Sequence, residues 1–319
     1  MSLADEPDVE PTAADLNPGS GCWLDGTGGA PFFLGLLAQY LSKVDVDLSI
    51  VALMLLLGAV TGVLAGLLGI GGGMIMVPFM SALIIHEGLP ANNATKVAIA
   101  TSLATILFTS LSSVWAHHKR GAVQWGVVKA LAPGIVIGGL IAAQFAALAK
   151  DSWMSIFFAI FVGYMAIQML RTRKPSAAAL AETQSLPSFS TLTGVGALIG
   201  GLSSLVGAGG GFMTVPFLVS KGVKMPHAVA TSAACGFPIA LAGTIGYVIS
   251  GWHLNISPSA IGFIYLPALL IVSLASMATA PLGAKMASTL PVATLKKAFG
   301  TMLLGVAIYM LWKGISASH

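Results

Sequence analysis

The stretch Gly66–Phe79, GLLGIGGGMIMVPF, interrupts one of the most apolar parts of the chain with glycines at 69, 71, 72 and 73 and a proline at 78. A second stretch, Ser204–Phe217, SLVGAGGGFMTVPF, repeats the interruption. Glycine is among the poorest helix formers, and a break frees backbone groups that hydrocarbon does not satisfy. Such a break survives at membrane depth only where it is buried in protein or lines a cavity.

The surrounding composition sets the class. The chain has 319 residues, 56% hydrophobic and 8% charged, against about 25% charged for a soluble domain. Windows of about 20 residues without charge fit membrane helices, so the class is a polytopic helical membrane protein. Residues 1–47 hold eight of the eleven acids and one base, Lys43, and the remainder carries 14 Lys/Arg against three acids, a formal +11. Cytoplasmic loops account for much of that excess, and attraction of anions is the sharper reading. Cys22 and Cys235 stand far apart in unlike surroundings, so no disulfide framework is expected. The acidic N-terminus lacks the basic n-region of a signal peptide. Residues 1–30 read as disordered, and PFFLGLLAQYL, 31–41, reads as an interfacial helix too short to span.

Sliding the chain by 138 positions lays Gly69, Gly71, Gly72, Gly73, Val77, Pro78 and Phe79 on Gly207, Gly209, Gly210, Gly211, Val215, Pro216 and Phe217. With an offset of 130, VAIATS (97–102) then matches HAVATS (227–232). This gives an acidic extension 1–47, a first repeat 48–172, a polar linker 173–189, a second repeat 190–313 and a tail 314–319. Each repeat has four apolar elements: 48–85 (broken), 94–116, 124–149 and 152–170, then 191–220 (broken), 226–250, 259–285 and 293–312. Trp115, Trp125, Trp153, Trp252 and Trp312 fall near element ends, as an aromatic belt requires.

Basic residues discriminate two topologies. If all eight elements span, Lys and Arg divide eight against seven. If each broken element is re-entrant and returns to its own side, they divide eleven inside against four outside. The positive-inside bias favours the second. It leaves three crossings per repeat, so the repeats are expected to be inverted, as in many transporters. Against it, 48–68 is long enough to span outright.

The paired GxGGGxxxVPF segments, the two ATS segments and LPVATLKKAFGTMLLGVAIYML (290–311) resemble the sulfite exporter TauE/SafE family, also called the toluene sulfonate uptake permease family. The resemblance covers 48–313. It implies transport of small sulfur-containing or organic anions such as sulfite, thiosulfate, sulfoacetate or organosulfonates. It does not fix substrate or direction.

The residues themselves suit an anion. A helix restarting at Met74 or Ile75, with Phe212 as the counterpart in the second repeat, offers unpaired N–H groups and roughly half a positive charge. That is an anion site without a lysine, built from Gly69, Gly71, Gly72, Gly73 and Met74 with Gly207, Gly209, Gly210, Gly211 and Phe212. Close helix packing through small residues is the alternative use of the same glycines. Thr101, Ser102, Thr231 and Ser232 recur symmetrically and offer hydroxyl donors, or back-bond to their own helices. Cys235 shares their face, either contacting a sulfur anion or packing as a small residue. Lys96 and His227 begin the ATS elements as gates, anion attractors or interfacial anchors. Gln144 lines a path or bridges helices.

An anion carrier is therefore expected, in a bacterial cytoplasmic membrane, with a small anion and the lipid bilayer as partners. No metal, cofactor or nucleic acid is expected. A membrane enzyme fits poorly, because GIGGG lacks the lysine of a phosphate-binding ATPase loop and no nucleophile–base set stands out; a membrane scaffold would not need two symmetric breaks. Deep carboxylates for a proton relay are missing from the pattern, which tilts direction toward export. Proton-coupled uptake, with a histidine or the substrate carrying the proton, is the alternative.

Overall fold

The computed structural model describes residues 48–69, 72–88, 91–171, 187–254, 256–286 and 292–317, leaving aside the side chains of 68 and 292–296. The acidic extension with its expected helix at 31–41, most of the linker, and Gly71 lie outside the described residues. Ten helices occur among the described residues: α1 (Leu48–Leu68), α2 (Gly73–His86), α3 (Ala94–His118), α4 (Trp125–Leu148), α5 (Asp151–Leu170), α6 (Phe189–Val206), α7 (Gly211–Ser220), α8 (Met225–Gly251), α9 (Leu266–Met286) and α10 (Val292–Ser316). They fall on the apolar elements of the sequence to within a few residues. One departure lies at the start of the 259–285 element, where β1 (Ala260–Ile261) and β2 (Ile264–Tyr265) form a small antiparallel hairpin before α9.

Eight of these helices are long and apolar enough to cross a membrane, including α1 and α6; α2 and α7, at 14 and 10 residues, are not. This is an integral membrane protein. The α3 and α8 windows are each 72% buried within the protein, against 33–44% for the other six, so these two helices form the centre. Elsewhere large apolar side chains such as Leu53, Phe145, Ile160, Leu198 and Ile308 face outward, where lipid would cover them. Trp115 and Trp125 are exposed near one end of the bundle, and Trp153, Trp252 and Trp312 near the other.

Glycine sets how the helices meet. On α1, Gly58, Gly62 and Gly66 follow at four-residue spacing against Val272, Ser276 and Ala280 of α9, so the two helices run the same way. A Cβ on Gly66 would overlap the Ala280 carbonyl oxygen. On α6, Gly196 and Gly200 meet the backbone of Leu131 and Ile135 on α4, again in parallel. Without a hydrophobic drive between helices in lipid, such close backbone approach carries the association. Gly66→Ala forces α1 from α9 and is expected to cost about 1–3 kcal/mol, as overpacking does. Gly194→Ala, where a Cβ meets nothing within 4 Å, should be neutral. Thermal midpoints of the two purified variants check the contrast.

The remaining directions follow from named contacts. Gly243 of α8 meets Leu103 of α3, and Gly236 meets Ser110, so the central pair is antiparallel. Gly163 and Gly314 place α5 antiparallel to α10 through Ala307 and Ile156. Thr109 bonds Ser276 and Arg120 bonds the Ala284 carbonyl, so α3 and α9 are parallel. Gly139 and Gly246 place α4 parallel to α8 through Ala242 and Ala143. α2 starts beside Ser102 and Ile106 in the body of α3 and ends at His86, just before α3 begins, so it runs back along α3.

Candidate functional site

Two chain turns enter the centre of the bundle. α1 ends at Leu68 and α2 starts at Gly73; α6 ends at Val206 and α7 starts at Gly211. The glycines on either side of each gap are left-handed, with φ 65° and 66° at Gly69 and Gly72, and 68° and 74° at Gly207 and Gly210. An L side chain in that region costs roughly 1–2 kcal/mol, which is why glycine occupies it. Gly72 and Gly210 are the N-caps of α2 and α7, and neither supplies a side-chain cap. The first N–H groups of both short helices are therefore left to the surroundings. The turns touch: a Cβ on Gly73 would run into the Gly207 carbonyl.

The Thr–Ser pairs hold these turns. Ser102 Oγ donates to the Gly207 carbonyl at 2.8 Å, and Ser232 Oγ donates to the Gly69 carbonyl at 3.2 Å. Thr101 Oγ1 accepts from the Tyr265 N–H at 3.0 Å, just before α9. Thr231 Oγ1 accepts from the Gln124 N–H at 3.1 Å, just before α4. All four hydroxyls are buried. In this conformation the serine protons go to backbone carbonyls.

Between the turns lies a small cavity lined by Ala65 of α1, Gly69 of the first turn, Gly209 of the second, Ile106, Thr109, Ser110 and Ser113 of α3, and Ala233 and Gly236 of α8. Its volume is about 10 Å³, near the lower limit for one water. In this conformation the cavity is closed to anything larger than a water. Thr109 and Ser110 bond back to their own helix at Thr105 and Leu107. Ser113 Oγ is buried and has no partner, so it is the hydroxyl left to a guest. Reading residue types had not singled it out. A stripe of hydroxyls at four-residue spacing, Thr101, Thr105, Thr109 and Ser113, runs along this face of α3 and leads to it.

Other candidates lie elsewhere. Met74 and Phe212 are buried at the starts of α2 and α7, with Phe212 edge-on to Phe161 at 5.2 Å. Cys235 is a fully buried free thiol on α8. Lys96 Nζ donates to the Ala147 carbonyl at 2.9 Å, and His227 Nδ1 lies 2.9 Å from the Ala122 carbonyl. Gln144 donates to the Gly246 carbonyl and accepts from Ser250, bridging α4 and α8. None of these six lines the cavity. No cluster of metal-ligating side chains occurs among the described residues.

The geometry can be set beside known proteins. A family model described as "Sulfite exporter TauE/SafE" matches residues 54–310. A "Probable membrane transporter protein" of Haemophilus influenzae is 39% identical over 264 residues, 82% of this chain and 98% of that protein. The "Probable membrane transporter protein YunE" of Bacillus subtilis is 29% identical over 220 residues, 64% of this chain and 80% of that protein. A probable membrane transporter protein of Methanocaldococcus jannaschii is 26% identical over 273 residues, covering 83% and 96%. No solved structure matches the chain.

Proposed function

The chain belongs to the sulfite exporter TauE/SafE family of membrane transport proteins, and from that premise we propose that it exports a small sulfur-containing oxyanion, held between its two glycine turns. The carrying observation is the pair of left-handed turns flanking one cavity, each opening a short helix without a side-chain cap, with the unpaired Ser113 hydroxyl in the wall. Helix N-termini and a neutral hydroxyl suit a compact anion and demand no buried lysine.

In this reading the chain is two inverted repeats, α1–α5 and α6–α10. The packing supports it: exchanging the repeats maps α1 against α9 onto α6 against α4, and α3 against α9 onto α8 against α4. α3 and α8 meet each other antiparallel, as do α5 and α10. Each broken element forms a hairpin whose first limb is long enough to cross and whose second limb returns partway. Lys119, Arg120, Arg171, Lys221, Lys224 and Lys285 then share one end of the bundle, with Lys96, Lys150 and Lys313 at the other. The richer end faces the cytoplasm of a bacterial cell by the positive-inside rule.

An inside-negative potential drives anion exit by about 2.3 kcal/mol per charge per 100 mV, which makes export the favoured direction. Efflux of labelled sulfite, thiosulfate and an organosulfonate from proteoliposomes, with and without an imposed potential, tests this. Potential-accelerated efflux of one of them is expected. Uptake that needs a pH gradient would point instead to proton-coupled import. Ser113→Ala should weaken half-saturation for the transported anion about three- to tenfold, the worth of one hydrogen bond, and leave the thermal midpoint of the empty protein unchanged.

A further inference from the structure

We infer that the two Thr–Ser pairs are the gates of the transport path: Thr101 and Ser102 close it on the side of the α3 N-terminus, Thr231 and Ser232 on the side of the α8 N-terminus. The inference rests on the inverted-repeat reading above. All four bonds run between repeats and not within them. Ser102 and Thr101 of the first repeat hold Gly207 and the Tyr265 N–H of the second; Ser232 and Thr231 of the second hold Gly69 and the Gln124 N–H of the first. Each pair therefore ties one glycine turn and one helix start of the opposite repeat to a central helix.

Position makes these ties gates. With Leu103 against Gly243 and Ser110 against Gly236, Ser102 and Ser232 stand about 18 Å apart along the axis of the central pair at 1.5 Å per residue. The cavity lies between them: its wall includes Ile106 to Ser113 on α3, past Ser102, and Ala233 and Gly236 on α8, past Ser232. Both clamps are made here, and the cavity is closed. Releasing one clamp frees the turn and the helix start on one side only, which is what alternating access between two rocking repeats needs.

The clamps are unequal. The single proton of Ser102 goes to the Gly207 carbonyl, whereas that of Ser232 is shared between the Gly69 carbonyl at 3.2 Å and its own Val229 carbonyl at 2.9 Å. The clamp at the basic, cytoplasmic end is the weaker and opens first, so the resting carrier offers its site to the cytoplasm.

The test is side-specific labelling of the full-length protein carrying Cys22→Ser, Cys235→Ser and the reporter Ser113→Cys, in right-side-out and inside-out vesicles, with a membrane-impermeant thiol reagent. Faster labelling from the cytoplasmic side is expected before any clamp is broken. Ser102→Ala should raise labelling from the outer side at least tenfold, and Ser232→Ala should raise it from the cytoplasmic side only. Thr101→Val and Thr231→Val break the other bond of each clamp and should give the same two patterns. Unchanged rates, or the same change from both sides, in folded variants overturn the gates. Sulfite flux of the protein with Ser113 intact separates the two ideas: flux with side-independent labelling leaves transport and removes the gates, whereas side-specific labelling without flux supports the gates and removes the substrate.

Discussion

Gly72→Val and Gly210→Val are each expected to reduce anion flux in proteoliposomes to the level of protein-free vesicles. Both glycines are left-handed, where any L side chain costs about 1–2 kcal/mol and a β-branched one more. Both open the short helices whose first N–H groups face the turn. A valine there displaces the turn that carries Gly69 or Gly209 into the cavity wall. The neighbours differ, and so do the milder substitutions. A Cβ on Gly72 meets the Thr61 backbone carbonyl, whereas one on Gly210 meets the tip of Ile239, a flexible side chain. Gly72→Ala should therefore be the more damaging of the two alanine variants. Flux measured beside gel-filtration profiles checks both points, and near-normal flux from a monodisperse valine variant would contradict the site.

Asp151→Ala is expected to cause the largest loss of stability, about 3–5 kcal/mol, read as a fall in thermal midpoint and in membrane yield. Asp151 begins α5, yet its carboxylate serves α3: it accepts the Thr95 N–H at 3.0 and 3.1 Å and the Lys96 N–H at 3.1 Å. It is buried, with Lys96 close by and Lys313 Nζ 3.5 Å from Thr95 Oγ1. Removing it leaves two helix N–H groups without their acceptor and the buried Lys96 without its neighbouring carboxylate. α3 carries half of the clamps and four of the nine residues of the cavity wall, so its start cannot loosen quietly. Asp151→Asn retains one acceptor oxygen and should fall between wild type and alanine. α8 begins differently, with Pro226 in its first turn and no carboxylate cap.

Much of this was legible in the chain itself. Apolar windows located the eight long helices, and the glycine runs marked both turns. The unequal limbs were not legible: 48–68 reads as a full span and as half of a hairpin, and in the structure α1 is long enough to cross whereas α2 is not. The Thr–Ser pairs were visible as a repeat, but their partners are backbone atoms of the other half, 105 to 164 positions away. No side-chain signal announces such a partner. Lys96 and His227 read as gates, anion attractors or interfacial anchors, and each lies against a backbone carbonyl far along the chain, Ala147 and Ala122. Nothing in the local sequence of Asp151 shows its role, because the helix it caps is a different one. Ser113 carries no motif of its own; only its lack of a partner sets it apart from the other hydroxyls of its stripe.

The central claim is that a sulfur oxyanion binds between the two glycine turns. Thermal stabilisation of the detergent-purified protein by sulfite, thiosulfate, sulfate, sulfoacetate, taurine, chloride and simple carboxylates tests it most directly. A ligand of the folded state at a hundred times its Kd adds about 2.7 kcal/mol, enough to move the midpoint by several degrees. A selective shift for one sulfur oxyanion is expected in the wild type, reduced by Ser113→Ala and lost in Gly210→Val. A shift that persists undiminished in both variants, or no shift from any of these anions, would contradict it.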